Sequence, residues 1–163
     1  MNKFSKISKK QYEIDGMYNF IRYDEIKLPK RATLSSAGYD IYSVKDFILY
    51  PGEEILLPTG INITLDEDKF LMMVPRSGLG FKYGVRLKNT TGVIDADYIN
   101  SENEGHFWIK LDYPILKGKQ EPMIIKRGDA ICQGIICQYF KTIDDITTDV
   151  RNGGFGSTNR SQY

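Results

Sequence analysis

The stretch INITLDEDKFLMMVP, residues 61–75, indicates the fold class of this chain. Residues 61–65 alternate apolar and polar side chains, which is the period of a β-strand with one buried face. Residues 66–68 are acidic and predict a turn. The run FLMMV at 70–74 is apolar throughout and predicts a second strand, which Pro75 ends. Two strands so close together favour an all-β chain.

Similar short apolar runs, separated by turn signals, continue on both sides of this stretch. FILY at 47–50 precedes a Pro-Gly pair, while FWIKLDY at 107–113 and AICQGIICQYF at 130–140 follow later. The pattern predicts roughly eight to twelve strands in a sandwich, barrel or jelly roll. RSGLGFKYG at 76–84 is expected to form a short helical or irregular piece.

The two ends of the chain differ from this β pattern. Ser8 and Gln11 form an S-x-x-Q capping box, which predicts a short helix over residues 9–20. The last residues are polar and then rich in glycine. The sequence is therefore divided into an N-terminal extension (1–22), a β domain (23–140) and a C-terminal arm (141–163).

Composition excludes several classes of protein. The chain has 163 residues and a net charge of +1, with acids and bases interleaved, so no basic stripe for duplex nucleic acid is expected. No secretory leader and no apolar run of about 20 residues is seen, which predicts a cytoplasmic protein away from membranes. Cys132 and Cys137 lie on opposite faces of one strand and cannot bridge each other there, which fits a reducing cytosol. His106, Glu102 and Glu104 are expected in an exposed, solvated loop.

Five segments, some of which overlap the runs above, carry charged, polar or aromatic residues beside glycines and could therefore form a binding or catalytic site. They are SSAGYDIYS (35–43) with Asp40, VPRSGLG (74–80) with Arg76 and Ser77, NTTGVIDADYIN (89–100) with Asp95, Asp97 and Tyr98, KRGDAICQG (126–134) with Gln133, and RNGGFGSTNR (151–160) with Phe155.

Each segment alone also has an ordinary structural interpretation. Asp40 is equally a turn or cap residue, and Arg76 is equally a surface ion-pair partner. The segment at 89–100 reads as two strands, on which Asp95 and Asp97 share one face and are either solvated or chemical, because burial without partners is costly. The glycine-rich tail alone is typical of a disordered end.

Taken together and in this order, the five segments resemble the five motifs of the trimeric dUTPase family, over about residues 27–158. The resemblance implies a dUTPase-like β jelly roll (β-clip) with a short N-terminal helix and a mobile C-terminal arm. It also implies a homotrimer whose three active sites are each built from all three chains. Such enzymes hydrolyse dUTP to dUMP and pyrophosphate with Mg²⁺, which limits uracil incorporation into DNA and supplies dUMP for dTMP synthesis.

The resemblance also implies a role for each matching residue. Asp95 is the expected base that activates the attacking water, and Asp40 supports this network through water. The phosphates are expected to contact Arg76, Ser77 and Gly78, with Gln133 supplied by a neighbouring chain. Tyr98 is expected to pack on the deoxyribose and exclude a 2′-hydroxyl. The uracil is expected to be read by Asn89, Gly92, Val93 and Ile94. The metal is expected to be held by the phosphates and water, with no direct protein ligand.

The fifth motif implies a lid over the bound nucleotide. Phe155 is expected to stack on the uracil and Arg151 to pair with the γ-phosphate, with Gly156 and Ser157 completing the arm. Two features depart from the family pattern. Arg151 lies four residues before Phe155, where many members have five, and residues 99–107, INSENEGHF, look like an insertion.

Two other functions are considered. A dCTP deaminase shares the jelly roll, but it would need Pro-Gly after Asp95 and a glutamate in the following strand. The chain has Ala96 after Asp95, and FWIKLD at 107–112 has no glutamate. A dUTP-binding regulatory protein of the same fold is the second alternative, with a partner surface on the N-terminal helix or the SENEGH loop, residues 101–106.

Overall fold

The computed structural model describes residues 1–149, which form twelve β-strands, two short α-helices and three 3₁₀ turns. The strands are β1 (Lys3–Lys6), β2 (Lys30–Arg31), β3 (Gly38–Tyr42), β4 (Phe47–Leu49), β5 (Glu54–Pro58), β6 (Ile61–Thr64), β7 (Lys69–Pro75), β8 (Arg86–Leu87), β9 (Gly92–Asp95), β10 (Trp108–Asp112), β11 (Met123–Ile125) and β12 (Ala130–Gln138). The helices are α1 (Lys9–Ile14) and α2 (Ser77–Tyr83), and the 3₁₀ turns span Met17–Asn19, Tyr23–Glu25 and Ala96–Asn100.

The strands pair in four antiparallel sheets. A five-stranded sheet has the order β2-β3-β12-β7-β9, and a three-stranded sheet has the order β5-β10-β8. Two further pairs, β1 with β6 and β11 with β4, complete the described part. The all-β prediction is confirmed, and so is the helical piece at 76–84, which is α2.

The stretch at 61–75 supplies strands to two different sheets. β6 pairs with β1, whereas β7 lies between β12 and β9 in the five-stranded sheet. Leu71 and Met73 are buried on one face of β7. The expected exposure of Asn62 is wrong, because its side chain is buried and donates a hydrogen bond to the carbonyl oxygen of Glu104 at 2.8 Å.

The hydrophobic core lies between the inward faces of these sheets. Fully buried side chains come from almost every long strand, among them Ile41, Leu71, Ile109, Leu111 and Ile131. Burying a side chain of this size stabilises the fold by about 1.5–3 kcal/mol. The interior therefore gives β3, β7 and β12 a rigid support.

The N-terminal helix is shorter than predicted. α1 ends at Ile14, because Gly16 takes a left-handed conformation with φ of 63° and starts the 3₁₀ turn Met17–Asn19. Ser8 caps α1 by accepting the N–H of Gln11 at 3.0 Å. The reciprocal half of the capping box is replaced, because the N–H of Ser8 donates to Glu104 Oε2 at 2.8 Å.

The expected solvated loop at 101–106 is instead packed against the N-terminal segment. His106 is fully buried, its Nδ1 lies 2.6 Å from Asp15 Oδ2, and its Nε2 accepts the N–H of Gly60 at 2.8 Å. Burial lowers the pKa of His106 below its ordinary value. Glu104 also accepts the Ser8 hydroxyl at 2.6 Å, so only Glu102 matches the prediction of an exposed side chain.

The segment at 89–100 contains one strand rather than two. β9 ends at Asp95, which begins the 3₁₀ turn Ala96–Asn100. Asp97 therefore does not continue the strand face of Asp95. In residues 1–149, the helices are all too short or too polar to cross a membrane.

Candidate active site

Three of the five sequence motifs converge at one end of the five-stranded sheet. Asp40 on β3 lies directly opposite Gln133 on β12, and the Nε of Arg76 lies 3.3 Å from Asp40 Oδ1. The carboxylate of Asp40 is mostly buried, with 14% of its side chain exposed, whereas Arg76 is 45% exposed. The ion pair thus holds the guanidinium at the surface, where its remaining donors can meet an anion.

Gln133 is held in this group by a close approach to Gly38. A Cβ added at Gly38 would lie 2.3 Å from Oε1 of Gln133, closer than any real contact. Nε2 of Gln133 donates to the carbonyl oxygen of Pro75 at 3.4 Å. The glycine of the first motif therefore makes room for the glutamine of the fourth, a requirement that the sequence alone did not indicate.

Arg76, Ser77 and Gly78 present an open polar surface beside this pair. Arg76 is the residue that precedes α2, and Ser77 is the first residue of that helix. All three are exposed, and a Cβ added at Gly78 would meet no atom within 4 Å. We call Asp40, Arg76, Ser77, Gly78 and Gln133 the anion cluster.

A separate small cavity is lined by the residues that are expected to recognise the uracil. Asn89, Gly92, Val93 and Ile94 surround about 100 Å³ together with Trp108 and other side chains of β7, β8 and β10. In the described part of the chain, β9 is an edge strand of its sheet, so one row of its backbone groups is available to a ligand. The contribution of Trp108 was not predicted.

Tyr98 lies in the 3₁₀ turn that follows β9, with only 3% of its surface exposed. Its hydroxyl donates to the carbonyl oxygen of His106 at 3.2 Å. The hydroxyl also accepts from Nδ2 of Asn103 at 2.9 Å. Both partners belong to residues 99–107, the segment that resembled an insertion.

Asp95 ends β9 and is partly exposed in an acidic cavity of about 810 Å³. Four other carboxylates line this cavity: Glu67, Asp97, Asp145 and Asp149. Among its described lining residues, Lys141 is the one cation. A polyphosphate would be repelled here unless a cation accompanied it.

Asp95 lies far from the anion cluster of its own chain. On β7, Asp95 is opposite Phe70 and Gln133 is opposite Val74. The offset is about 13 Å along β7 and about 10 Å across two strand spacings, so the two backbones are about 16 Å apart. One chain thus carries both halves of the predicted chemistry, but it does not bring them into contact.

The thiol of Cys132 offers no alternative nucleophile here. Both cysteines are free thiols, and burial raises the pKa of Cys132 to about 12, which keeps it protonated and inert. Within residues 1–149, no group of three or more His, Cys, Asp and Glu side chains is arranged to hold a metal ion. The lid residues Arg151, Phe155, Gly156 and Ser157 lie outside the described residues.

Comparison with known proteins identifies the family. A family model described as dUTPase matches residues 24–159. The deoxyuridine 5'-triphosphate nucleotidohydrolase of Lactococcus lactis is 37% identical over 136 residues, which cover 82% of this chain and 88% of the relative. The enzyme of the same name from Finegoldia magna is also 37% identical, over 138 residues that cover 80% and 90% of the two chains.

Solved structures agree with this result and confirm the expected jelly-roll type of fold. The dUTPase of Streptococcus mutans aligns with a TM-score of 0.64 and 28% identity, over 85% of this chain and 97% of the other. The dUTPase from phage phi11 of S. aureus aligns with a TM-score of 0.64 and 19% identity, over 91% and 97%. The chain therefore belongs to the dUTPase family, whose curated relatives are deoxyuridine 5'-triphosphate nucleotidohydrolases.

Proposed function

We propose that the protein hydrolyses dUTP to dUMP and pyrophosphate as a homotrimer, at sites that combine Asp95 of one chain with the anion cluster of another. The separation of about 16 Å between Asp95 and Gln133 in one chain carries this proposal, because a base must lie within hydrogen-bond reach of the water it activates. A neighbouring copy of the chain can bring its own anion cluster next to Asp95 without any change in the fold. Family membership supports both the reaction and the assembly.

Asp95 acts as the general base. Its carboxylate accepts a proton from a water molecule as the water oxygen forms a bond to the α-phosphorus. The bond from that phosphorus to the bridging oxygen breaks in line, and pyrophosphate leaves with the electron pair. A positioned base of this kind accelerates a reaction by about 10²–10⁴-fold.

The anion cluster binds the phosphate chain and stabilises the charge that develops on the leaving group. Arg76 supplies charged donors that Asp40 holds in place, while Ser77 and Gln133 supply neutral donors. The open space at Gly78 allows a phosphate to approach the backbone.

Magnesium fits the chemistry of these residues as a group that arrives with the substrate. The carboxylates around Asp95 repel a bare triphosphate, so the substrate needs a cation to accompany it there. When bound to the phosphates, Mg²⁺ neutralises part of their charge and stabilises the leaving pyrophosphate. Asp40 is the carboxylate that would reach the hydrated ion through water.

Recognition of deoxyuridine uses β9, the turn before it and the ring of Tyr98. The open edge of β9 offers backbone N–H and C=O groups to the polar edge of uracil, and Asn89 adds an amide beside them. A cytosine would leave some of these groups unpaired, at a cost of about 1–3 kcal/mol for each. Tyr98 blocks the position of a 2′-hydroxyl.

The C-terminal segment is proposed to close over the nucleotide. Phe155 stacks on the uracil and Arg151 meets the γ-phosphate, which excludes bulk water from the site. Phe155→Ala is expected to lower turnover and to leave the trimer intact, as measured by steady-state kinetics and light scattering.

A panel of nucleotides tests the proposed reaction. Pyrophosphate release is expected to be fast with dUTP, weak with UTP and dTTP, and absent with dCTP. Asp95→Asn is expected to lower the dUTP rate by at least about 10²-fold while substrate binding persists. Full turnover by Asp95→Asn would refute the assignment of the base, and dUTP binding without hydrolysis by the wild type would favour a regulatory protein.

A further inference from the structure

The segment 99–107 touches a residue of the proposed site directly. Asn103 donates from Nδ2 both to the hydroxyl of Tyr98 at 2.9 Å and to the carbonyl oxygen of His106 at 3.0 Å. The Tyr98 hydroxyl itself donates to the same carbonyl at 3.2 Å. These three groups form a closed triangle of hydrogen bonds around the tip of the tyrosine ring.

Asn103 and His106, the two partners of the Tyr98 hydroxyl, are themselves held by further hydrogen bonds. The Oδ1 of Asn103 accepts the N–H of Gly105 at 3.2 Å, which fixes the amide plane of Asn103. The ring of His106 is held by Asp15 on one side and by the N–H of Gly60 on the other. The hydroxyl of Tyr98 is therefore attached, through His106, to the N-terminal segment and to the turn before β6, while Asn103 ties it to the loop itself.

A rigid support matters because Tyr98 discriminates by steric exclusion. A ring that blocks a 2′-hydroxyl rejects a ribonucleotide only as strongly as the ring resists displacement. The ring of Tyr98 packs in the core with 3% of its surface exposed, so a tilt that admits the larger sugar has to shift its neighbours and also break the hydrogen bonds at its hydroxyl. The triangle adds to this resistance at the tip of the ring, where a tilt produces the largest movement.

We propose that Asn103 is a positioning residue that fixes the ring of Tyr98 and so sets the preference of the enzyme for deoxyribonucleotides over ribonucleotides. The proposal rests on the proposed contact between Tyr98 and the sugar. It gives the segment 99–107 a role in specificity, and it places the residue that acts on the sugar under the control of a loop that contains no catalytic group.

The test compares kcat/KM for dUTP and for UTP in the full-length enzyme. Asn103→Ala is expected to lower the dUTP to UTP ratio by about fivefold or more, the factor that one hydrogen bond of ordinary net strength represents. Tyr98→Phe keeps the ring but removes the hydroxyl, so it is expected to lower the ratio in the same way. Glu102→Ala, at an exposed position of the same loop, is the matched control and is expected to leave the ratio unchanged.

The double variant separates positioning from general destabilisation. If Asn103 acts through the hydroxyl of Tyr98, adding Asn103→Ala to Tyr98→Phe changes the ratio by less than about twofold. Additive effects in the double variant, or an unchanged ratio in Asn103→Ala, would overturn the proposal. A wild type that hydrolyses dUTP and UTP equally would instead refute the proposed role of Tyr98, and this inference would fall with it.

Discussion

Asp95 and Gln133 lie on strands that flank β7 on opposite sides, Asp95 opposite Phe70 and Gln133 opposite Val74. The strand between them is a rigid spacer, because β12 pairs with it along its whole length and β9 pairs with residues 70–73 on the other side. A hinge that would bring the two side chains together would have to break this central pairing. The geometry thus keeps Asp95, the proposed base, away from the anion cluster of its own chain.

Gly38→Ala is expected to impair catalysis without removing any group of the site. A methyl group at this position would displace the side chain of Gln133, whose Oε1 lies 2.3 Å from the added Cβ. We expect a fall in kcat/KM for dUTP of about tenfold, because donors misplaced by as little as 1 Å lose much of their effect. A Gly38→Ala/Gln133→Ala double variant removes the clash with Oε1 and leaves a contact of 3.3 Å between the added Cβ and the Cβ of residue 133, which a small shift relieves, so it should be hardly worse than Gln133→Ala alone. A much lower activity of the double variant would contradict this account.

Two glycines of α2 provide a matched pair of substitutions. A Cβ at Gly78 meets no atom of the chain within 4 Å, and a Cβ at Gly80 makes only an ordinary contact of 3.8 Å. Alanine is expected to be tolerated by the fold at both positions, and to stabilise the helix by up to about 1 kcal/mol. Only Gly78→Ala is expected to raise KM for dUTP, because the proposed site brings a phosphate close to the backbone of Gly78 and not to that of Gly80. Equal KM values for the two variants would argue against phosphate binding at Gly78.

The buried His106 is expected to lower the free energy of unfolding in mild acid. Burial lowers its pKa from 6.5, and this effect exceeds the opposing effect of the Asp15 carboxylate. The unfolded chain therefore binds a proton at a higher pH than the folded chain does. The contribution of His106 is complete above pH 6.5 and is lost as the pH falls from 6.5 towards the lower folded value.

Urea unfolding at several pH values measures this effect. His106 is the only histidine of the chain, so a decrease in the free energy of unfolding between pH 6.5 and about 5 is attributable largely to it. His106→Gln is expected to be less stable at neutral pH but to show a much flatter dependence in this range. An equally steep dependence in His106→Gln would show that another group is responsible.

The features that the sequence predicted well depend on local patterns. The strands of β6 and β7, the helix α2 and the site segments at Asp40, Arg76 and Gln133 each follow from a short run of residues. Alternation and turn residues locate a strand to within a few positions. The positions of strands along the sequence can therefore be predicted even where their partners in the sheets cannot.

The features that were predicted wrongly depend on contacts between distant residues. His106 and Glu104 look like loop residues in the sequence, but their partners Asp15 and Ser8 are more than 90 positions away. One half of the predicted capping box is wrong for the same reason. The side chain of Glu104, and not that of Gln11, accepts the N–H of Ser8. The separation of Asp95 from the anion cluster is likewise a result of strand order, which no local pattern contains.

The most direct test of the shared site mixes two inactive variants. Asp95→Asn and Arg76→Ala are each expected to be nearly inactive alone, because every site of either homotrimer lacks one essential group. After refolding or co-expression in equal amounts, about a quarter of the sites should combine an intact Asp95 with an intact Arg76 from different chains. Recovery of dUTP hydrolysis to about a quarter of the wild-type rate is expected if each site combines groups from two chains. Activity that stays at the level of the separate variants, with mixed trimers shown to be present by native mass spectrometry, would contradict it.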